Sequence, residues 1–182
     1  MTNGKPILII DDEPDQVRGL LLEIHDVAEI IHPGDLKRED LRAASLLLID
    51  HHLEDANWPE RSLFPLTCQP RDGLALAAIL QSLLRSDELG HASLASPIAV
   101  ALLSGKLSEV TGLDRPSEHI AARACGLDWA FAKAQSTALE HALPVRVRSF
   151  FNAVRALPRS WPEEPAQSQE KLMELLGVQA AD

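Results

Sequence analysis

The chain has 182 residues, of which 46% are hydrophobic and only 4% aromatic, and its formal net charge is −10. This length predicts one domain of ordinary size with at most a small appendage, and the acidic balance argues against a general nucleic-acid binder. No apolar run suggests a signal peptide or is long enough to cross a bilayer, so we expect a cytoplasmic protein that binds neither nucleic acid nor membrane.

The first part of the chain alternates short apolar runs with amphipathic stretches. Residues 5–10 predict a strand, and apolar side chains from Val17 to Val27 follow at helical spacing. A short strand at 29–31 and a polar helix at 36–44 come next. Residues 46–50 read Leu-Leu-Leu-Ile-Asp, a continuous apolar run typical of a central parallel strand that is covered on both faces.

Residues 51–71 break this pattern, because they contain three prolines and show no period. We interpret them as an inserted, ordered loop. The elements predicted after it are a helix from Asp72-Gly73, a strand at 97–103, a helix at 116–125 closed by Gly126, a strand at 127–132 and a helix at 139–157 with Pro144 in its first turn. The repeated strand–helix order predicts an α/β fold with a doubly wound, five-stranded parallel sheet.

The domain prediction divides the chain into residues 1–157 and a C-terminal segment, residues 158–182. This segment contains a proline-rich connector and a short helix with leucines on one side. It is too small to fold alone. We therefore expect it to dock on the domain, to form a homodimer or to bind a partner.

Polar side chains stand at the ends of four predicted strands: Asp11 and Asp12, Asp50, Ser104, and Lys133. The carboxyl ends of parallel strands lie at one edge of the sheet, so these groups should meet there. Three carboxylates would repel one another unless a divalent cation lies among them, and oxygen ligands favour Mg²⁺ or Mn²⁺. A carboxylate in such a site is a potential nucleophile toward a phosphoryl group.

These motifs resemble those of bacterial response-regulator receiver domains (CheY-like) over residues 5–157. The matching segments, in order along the chain, are residues 7–14, 46–50, 72–76, 98–105 and 125–133. The resemblance implies a flavodoxin-like fold. It also implies a stand-alone receiver of a two-component phosphorelay that signals by protein–protein interaction.

Carried over by position, the resemblance makes Asp50 the phospho-acceptor. Asp11 and Asp12 would hold Mg²⁺ together with Asp50 and the backbone carbonyl of His52. Ser104 would be the switch hydroxyl, and Lys133 would bind the phosphate. The implied partners are a histidine kinase or phosphotransfer protein and an unknown downstream protein. The receiver would not be an enzyme beyond self-catalysed phosphotransfer and autodephosphorylation.

Some positions depart from the family pattern. Ala134 stands where the family commonly has a cis-proline, and Ala130 stands where it has an aromatic side chain that rotates on activation. Trp129 and Phe131 should point to the other face of the strand by alternation. The same rule predicts that His51 and His52 point opposite ways, so we do not expect them to share a transition metal.

Two alternatives stay open. One is a pseudo-receiver that is never phosphorylated and acts as a protein-interaction scaffold. The other is a phosphatase that forms and hydrolyses an aspartyl-phosphate. Such enzymes usually carry their nucleophile in an Asp-x-Asp motif after the first strand, and Pro14 at the start of the following helix fits the receiver better.

Overall fold

The computed structural model describes residues 4–53, 58, 69–85, 98–114, 117–133 and 142–157. The strands are β1 (Ile7–Ile10), β2 (Ala28–Ile31), β3 (Leu46–Asp50), β4 (Ala99–Ser104) and β5 (Trp129–Ala132). The helices are α1 (Pro14–Ile24), α2 (Arg38–Ala43), α3 (Gly73–Arg85), α4 (Leu107–Thr111), α5 (Glu118–Ala124) and α6 (Ala142–Ala156). A single 3₁₀ turn, Pro33–Asp35, follows β2.

The five strands form one parallel sheet in the order β2-β1-β3-β4-β5. This is the strand order of flavodoxin-like, doubly wound folds, which includes the receiver fold. The fold class predicted from the sequence is therefore confirmed. β3 lies at the centre of the sheet, so its last residue is surrounded by the ends of neighbouring strands.

The core has a layer on each face of the sheet because successive strand residues point to opposite faces. On one face, alternate residues of β1 and β3 pack with Val17 of α1 and with Val147 and Phe151 of α6. On the other face, the remaining residues of β1 and β3 pack with Leu41 of α2 and with Leu76 of α3. Every residue of β3 is buried, which explains why its sequence is continuously apolar until Asp50.

Helix α4 is a finding that the sequence did not predict. It has five residues, too few to reveal a helical period, and it ends at Gly112 with a φ of 68°. Leu107 of α4 packs with Ala121 and Ala122 of α5 and with Ala130 of β5. The short helix therefore follows Ser104 closely in the chain and packs against α5 and β5.

Several predicted ends are wrong by a few residues, because strand ends depend on pairing with a neighbour rather than on apolar character alone. The first strand begins at Ile7 rather than at residue 5, and α1 ends at Ile24, before Val27. Two turn predictions are confirmed. Gly126 has a φ of 66°, and Pro144 lies in the first turn of α6.

The predicted alternation along β5 is also confirmed. Ala130 belongs to the small cluster beneath α4 and α5, whereas Trp129 and Phe131 face the other layer and contact Phe150. Most of the inserted loop 51–71 and the whole segment 158–182 lie outside the described residues. Within the described part of the chain, none of the helices has the length and apolar character to cross a membrane.

Strand β5 lies at one edge of the sheet. The amide of Lys133 donates to the carbonyl of Ser104 over 2.7 Å, so the preceding amide, that of Ala132, faces away from β4. That outward amide donates to the carboxylate of Glu118 on α5 over 2.8 Å. The same carboxylate is paired with Arg146 of α6, so one acidic side chain connects β5 to two helices.

Candidate functional site

The polar residues predicted to meet lie at the carboxyl edge of the sheet. Asp11 directly follows β1, Asp50 ends β3, Ser104 ends β4 and Lys133 follows β5. Because all four strands are parallel, they end on the same side of the sheet. This edge is where ligands bind in open α/β folds.

The ammonium of Lys133 lies between two carboxylates. Its Nζ is 2.8 Å from Oδ1 of Asp50 and 3.3 Å from Oδ2 of Asp11. The exposed fractions of the three side chains are 22% for Lys133, 8% for Asp50 and zero for Asp11. These two ion pairs are thus largely removed from water. In such a buried environment ionic interactions are stronger than in water, and an unpaired charge is costly.

Backbone amides orient both carboxylates. The amide of Glu13 donates to Oδ1 of Asp11 over 2.8 Å, and the amide of His51 donates to Oδ1 of Asp50 over 2.9 Å. The carbonyl of Leu103 on β4 accepts from the same His51 amide over 3.0 Å. The position of Asp50 is therefore fixed by the turn that follows β3 as well as by the sheet.

Asp11, Asp12 and Asp50 form what we call the acidic cluster. Each offers one carboxylate oxygen, and these three oxygens all lie within 4.8 Å of one another. Lys133 pairs with Asp11 and Asp50. A donor set of three carboxylate oxygens fits a hard divalent cation such as Mg²⁺.

The pKa of Asp50 is raised above its ordinary value of 3.8, chiefly because burial penalises the charged form. The ion pair and hydrogen bond with Lys133 oppose this effect, and the nearby charge of Asp11 adds to it. In the absence of a further cation, the ionised form of Asp50 therefore carries a free-energy cost.

Helix α3 begins in direct contact with the end of β3. The amide of Gly73 donates to the carbonyl of His51 over 2.9 Å. A Cβ atom at residue 73 would lie 1.8 Å from the carbonyl oxygen of Asp50 and 2.7 Å from its carbonyl carbon. Only glycine allows this approach without a shift of the backbone that carries Asp50.

Ser104 is fully buried at the end of β4. Its hydroxyl accepts a hydrogen bond from the amide of Lys106 over 3.2 Å. Four predicted site residues, Asp11, Asp12, Asp50 and Lys133, are thus brought together, and Ser104 ends the neighbouring strand. The role of the His52 carbonyl as a metal ligand stays a prediction.

The expectation that the side chains of His51 and His52 point opposite ways is wrong. The ring centroids of His51 and His52 lie 4.6 Å apart, and both rings are close to Glu109 of α4. The alternation rule does not apply to them because β3 ends at Asp50 and the histidines lie in the turn beyond it. No sequence signal pointed to Glu109, since the helix that carries it was not predicted.

The surroundings of His51 also affect its protonation. Burial is the main cause that lowers the pKa of His51, and the adjacent charge of His52 acts in the same direction. The carboxylates of Asp72 and Glu109 oppose the shift. The imidazole of His51 therefore stays neutral to a lower pH than an ordinary histidine.

No protein-family model and no curated protein matches the sequence. Solved structures with a similar fold include a fusion protein with the trimeric coiled coil of yeast Spc42 (17% identity, TM-score 0.45, covering 95% of this chain and 94% of that one). Another is the receiver domain of the Francisella response regulator 1452 (15%, 0.43, 81% and 96%).

A third is the Salmonella typhimurium response regulator RcsB (11% identity, TM-score 0.42, covering 99% of this chain and 80% of that one). All three TM-scores are below 0.5, so the fold assignment rests on the sheet order of this chain.

Proposed function

We propose that this protein is a receiver that accepts a phosphoryl group on Asp50. The observation that carries the proposal is the position of Lys133, whose ammonium lies 2.8 Å from Asp50 and 3.3 Å from Asp11 at the carboxyl edge of the sheet. A buried carboxylate that lies next to the ammonium of Lys133 and to two further carboxylates is suited to accept a phosphoryl group. The sequence motifs at the same positions support this reading.

In the proposed reaction, a carboxylate oxygen of Asp50 forms a bond to phosphorus. The bond between phosphorus and the donor's leaving atom breaks, and its electron pair departs with the donor. Lys133 holds the carboxylate before the reaction and can pair with a phosphoryl oxygen afterwards. The amide of His51 keeps the orientation of Asp50 fixed.

Asp11, Asp12 and Asp50 are the side chains that would hold Mg²⁺, with the carbonyl of His52 as a further ligand. When bound, Mg²⁺ supplies positive charge that offsets the charge of the phosphoryl oxygens. The donor in the cell would be a histidine kinase or a phosphotransfer protein. The phosphorylated state would be read by a downstream protein.

The departures from the receiver pattern bear on how such a signal leaves the site. Ala130 is buried beneath α4 and α5 and has no ring to rotate, and the aromatic side chains beside it face the opposite layer. We therefore propose that the output does not use an aromatic side chain of β5. The inserted loop 51–71 and the C-terminal segment are the other candidates.

The test is phosphorylation of the full-length protein by acetyl phosphate in the presence of Mg²⁺, followed by intact-protein mass spectrometry. We expect one phosphoryl group on the wild type and none on Asp50→Asn. The matched control is Asp35→Asn, which changes an exposed carboxylate in the 3₁₀ turn and should behave as the wild type does.

Calorimetric binding of beryllofluoride with Mg²⁺ provides a second measurement that does not depend on a donor. Asp50→Asn and Asp11→Asn should both abolish it. If the wild type neither accepts a phosphoryl group nor binds beryllofluoride, the proposal is contradicted. The scaffold alternative would then be the better account of the same fold.

A further inference from the structure

A second group of ligating side chains lies beside the acidic cluster. We call His51, His52 and Glu109 the imidazole cluster. Each of the three offers one nitrogen or carboxylate oxygen, and these atoms all lie within 4.8 Å of one another. The cluster joins the turn after β3 to α4, two parts of the chain that are far apart in sequence.

Glu109 is oriented toward the histidines. Its Oε1 accepts from the ammonium of Lys106 over 2.7 Å, and its Oε2 lies 3.4 Å from Nε2 of His52. The first contact is a short, charge-assisted hydrogen bond, whereas the second is longer than such bonds usually are. Lys106 thus fixes one carboxylate oxygen, and the other faces the imidazole rings.

His51 contributes a polar atom that its surroundings do not satisfy. Its Nδ1 is buried, and no residue in the described part of the chain forms a hydrogen bond with it. Buried nitrogen atoms usually have a partner, so this one calls for an explanation. The contact between Nε2 of His52 and Glu109 does not supply one, because it does not involve Nδ1 of His51.

We propose that the imidazole cluster binds a divalent transition-metal ion, with Zn²⁺ as the representative case. Two imidazoles and one carboxylate are a ligand set that Zn²⁺ accepts with a further position open to water or another ligand. The set differs from the acidic cluster in hardness. Nitrogen ligands select transition metals, whereas the oxygen-only acidic cluster suits Mg²⁺.

The site has a structural consequence, because its ligands come from different elements. A bound metal joins α4 to the turn after β3, and that turn begins at the residue next to Asp50. The metal therefore stabilises the folded chain, and the stabilisation grows with the logarithm of the ratio of free metal concentration to the dissociation constant. Thermal unfolding reports this link independently of any phosphorylation.

The first experiment is calorimetric titration of the full-length protein with Zn²⁺ in saturating Mg²⁺, which occupies hard oxygen sites. We expect one site in the wild type. His51→Ala, His52→Ala and Glu109→Gln should each weaken it by at least about tenfold, since even residues that only support ligands have effects of this size. The side chains of His52 and Glu109 are 53% and 42% exposed, so these two variants should fold normally.

The controls separate this site from ordinary surface binding and from the acidic cluster. His25→Ala and Glu39→Gln change exposed residues of the same types elsewhere on the chain, and Zn²⁺ affinity should not change. Asp50→Asn should also keep the Zn²⁺ site while losing phosphorylation. The failure of one proposal can thus be distinguished from the failure of the other.

The second experiment measures the unfolding midpoint with and without Zn²⁺. The midpoint should rise in the wild type and in the two control variants, and it should not rise in His52→Ala or Glu109→Gln. Unchanged Zn²⁺ affinity in those two variants would overturn the proposal. So would a loss of affinity confined to Asp11→Asn, which would assign the ion to the acidic cluster instead.

Discussion

The acidic cluster includes the last residue of β3, the imidazole cluster includes the two residues that follow it, and the two clusters are built differently. The acidic cluster uses residues at strand ends, and Asp11 and Asp50 in it are buried beside Lys133. The imidazole cluster uses a turn and a five-residue helix, and the side chains of His52 and Glu109 are largely exposed. The two neighbouring ligand sets thus differ in the burial of their side chains and in the elements that carry them.

Because of this difference in burial, the two clusters should differ in how strongly their charges affect the free energy of unfolding. Breaking a buried ion pair is costly because it leaves a charge in a buried environment, so the acidic cluster should respond strongly to the loss of Lys133. Exposed charges are screened by water, so the imidazole cluster should contribute little to stability until a metal binds. Four variants test this contrast, in decreasing order of expected effect.

The largest effect is expected from Gly73→Ala, which acts on the backbone that holds Asp50. The added Cβ would meet the carbonyl oxygen of Asp50 at 1.8 Å. Relief requires α3 or the end of β3 to move, and overpacking of this kind costs about 3 kcal/mol or more. Urea unfolding monitored by circular dichroism measures the loss.

The matched control for Gly73→Ala is Gly19→Ala. Gly19 lies in α1, and within the part of the chain that the structure describes nothing lies within 4 Å of the position that a Cβ would take. Alanine is the better helix former, so this variant should gain about 0.5–1 kcal/mol. Equal stability of the two variants would show that the contact between α3 and β3 is not tight.

Lys133→Ala comes next, because it leaves two buried carboxylates without their shared cation. Removal of one partner from a fully buried ion pair costs about 3–5 kcal/mol, and we expect somewhat less here since 22% of the Lys133 side chain is exposed. Added Mg²⁺ should restore part of the loss. Chemical unfolding with and without Mg²⁺ measures both effects.

The control for Lys133→Ala is Arg18→Ala, which breaks the pair with Asp15 on the surface of α1. The two side chains are 70% and 83% exposed. Such a pair contributes about 0–1 kcal/mol, and its loss should not respond to Mg²⁺. A Lys133→Ala variant that unfolds as Arg18→Ala does would contradict the assigned role of Lys133 as the internal counterion.

Asp50→Asn should have a smaller effect, and one that stabilises the metal-free protein. The pKa of Asp50 is raised in the folded state, so the protonated carboxyl group contributes to the stability of the fold. This contribution is complete below the unfolded pKa of 3.8 and is lost as pH rises through the folded pKa. The advantage of the asparagine variant should therefore grow from about pH 4 upward and then level off.

Thermal unfolding across a pH series measures this advantage. Each kcal/mol corresponds to about 2–4 °C in a domain of this size. Mg²⁺ should remove the advantage, because it stabilises the carboxylate that the variant lacks. An advantage that is largest at acidic pH would mean that Lys133 outweighs the effect of burial.

The smallest effect belongs to the imidazole cluster. Without added metal, Glu109→Gln breaks exposed pairs with Lys106 and His52. We expect no resolvable change in the free energy of unfolding, measured in the presence of a chelator, because water screens exposed charges. A loss of stability as large as that of Lys133→Ala would mean that the metal-free imidazole cluster contributes as much to stability as the acidic cluster does.

The sequence allowed most of the acidic cluster to be predicted, and the reason is geometric. A continuous apolar run fixes a buried parallel strand, and the residue after the run must emerge at the carboxyl edge. Asp50 and Lys133 could be placed in this way without any knowledge of side-chain packing. The doubly wound, parallel sheet followed from the alternation of strands and helices, whereas the order of the strands in it comes from the structure.

The imidazole cluster could not be predicted by the same reasoning. The direction of His51 and His52 depends on where β3 stops pairing, and one residue decides whether alternation applies to them. Glu109 lies on a helix of five residues, which is stabilised by the packing of Leu107 rather than by its own period. Likewise, the glycine contact of α3 with Asp50 depends on the approach of two backbones, which no residue pattern encodes.

The carboxylate of Glu118 has a consequence for contacts between molecules. A strand at the edge of a sheet presents unpaired amides on which another chain can add as a further strand. The outward amide of Ala132 already has an acceptor in Glu118, and Arg146 holds that acceptor in place. The carboxyl end of β5 is thereby closed to strand addition, and this helps the molecule to resist edge-to-edge aggregation.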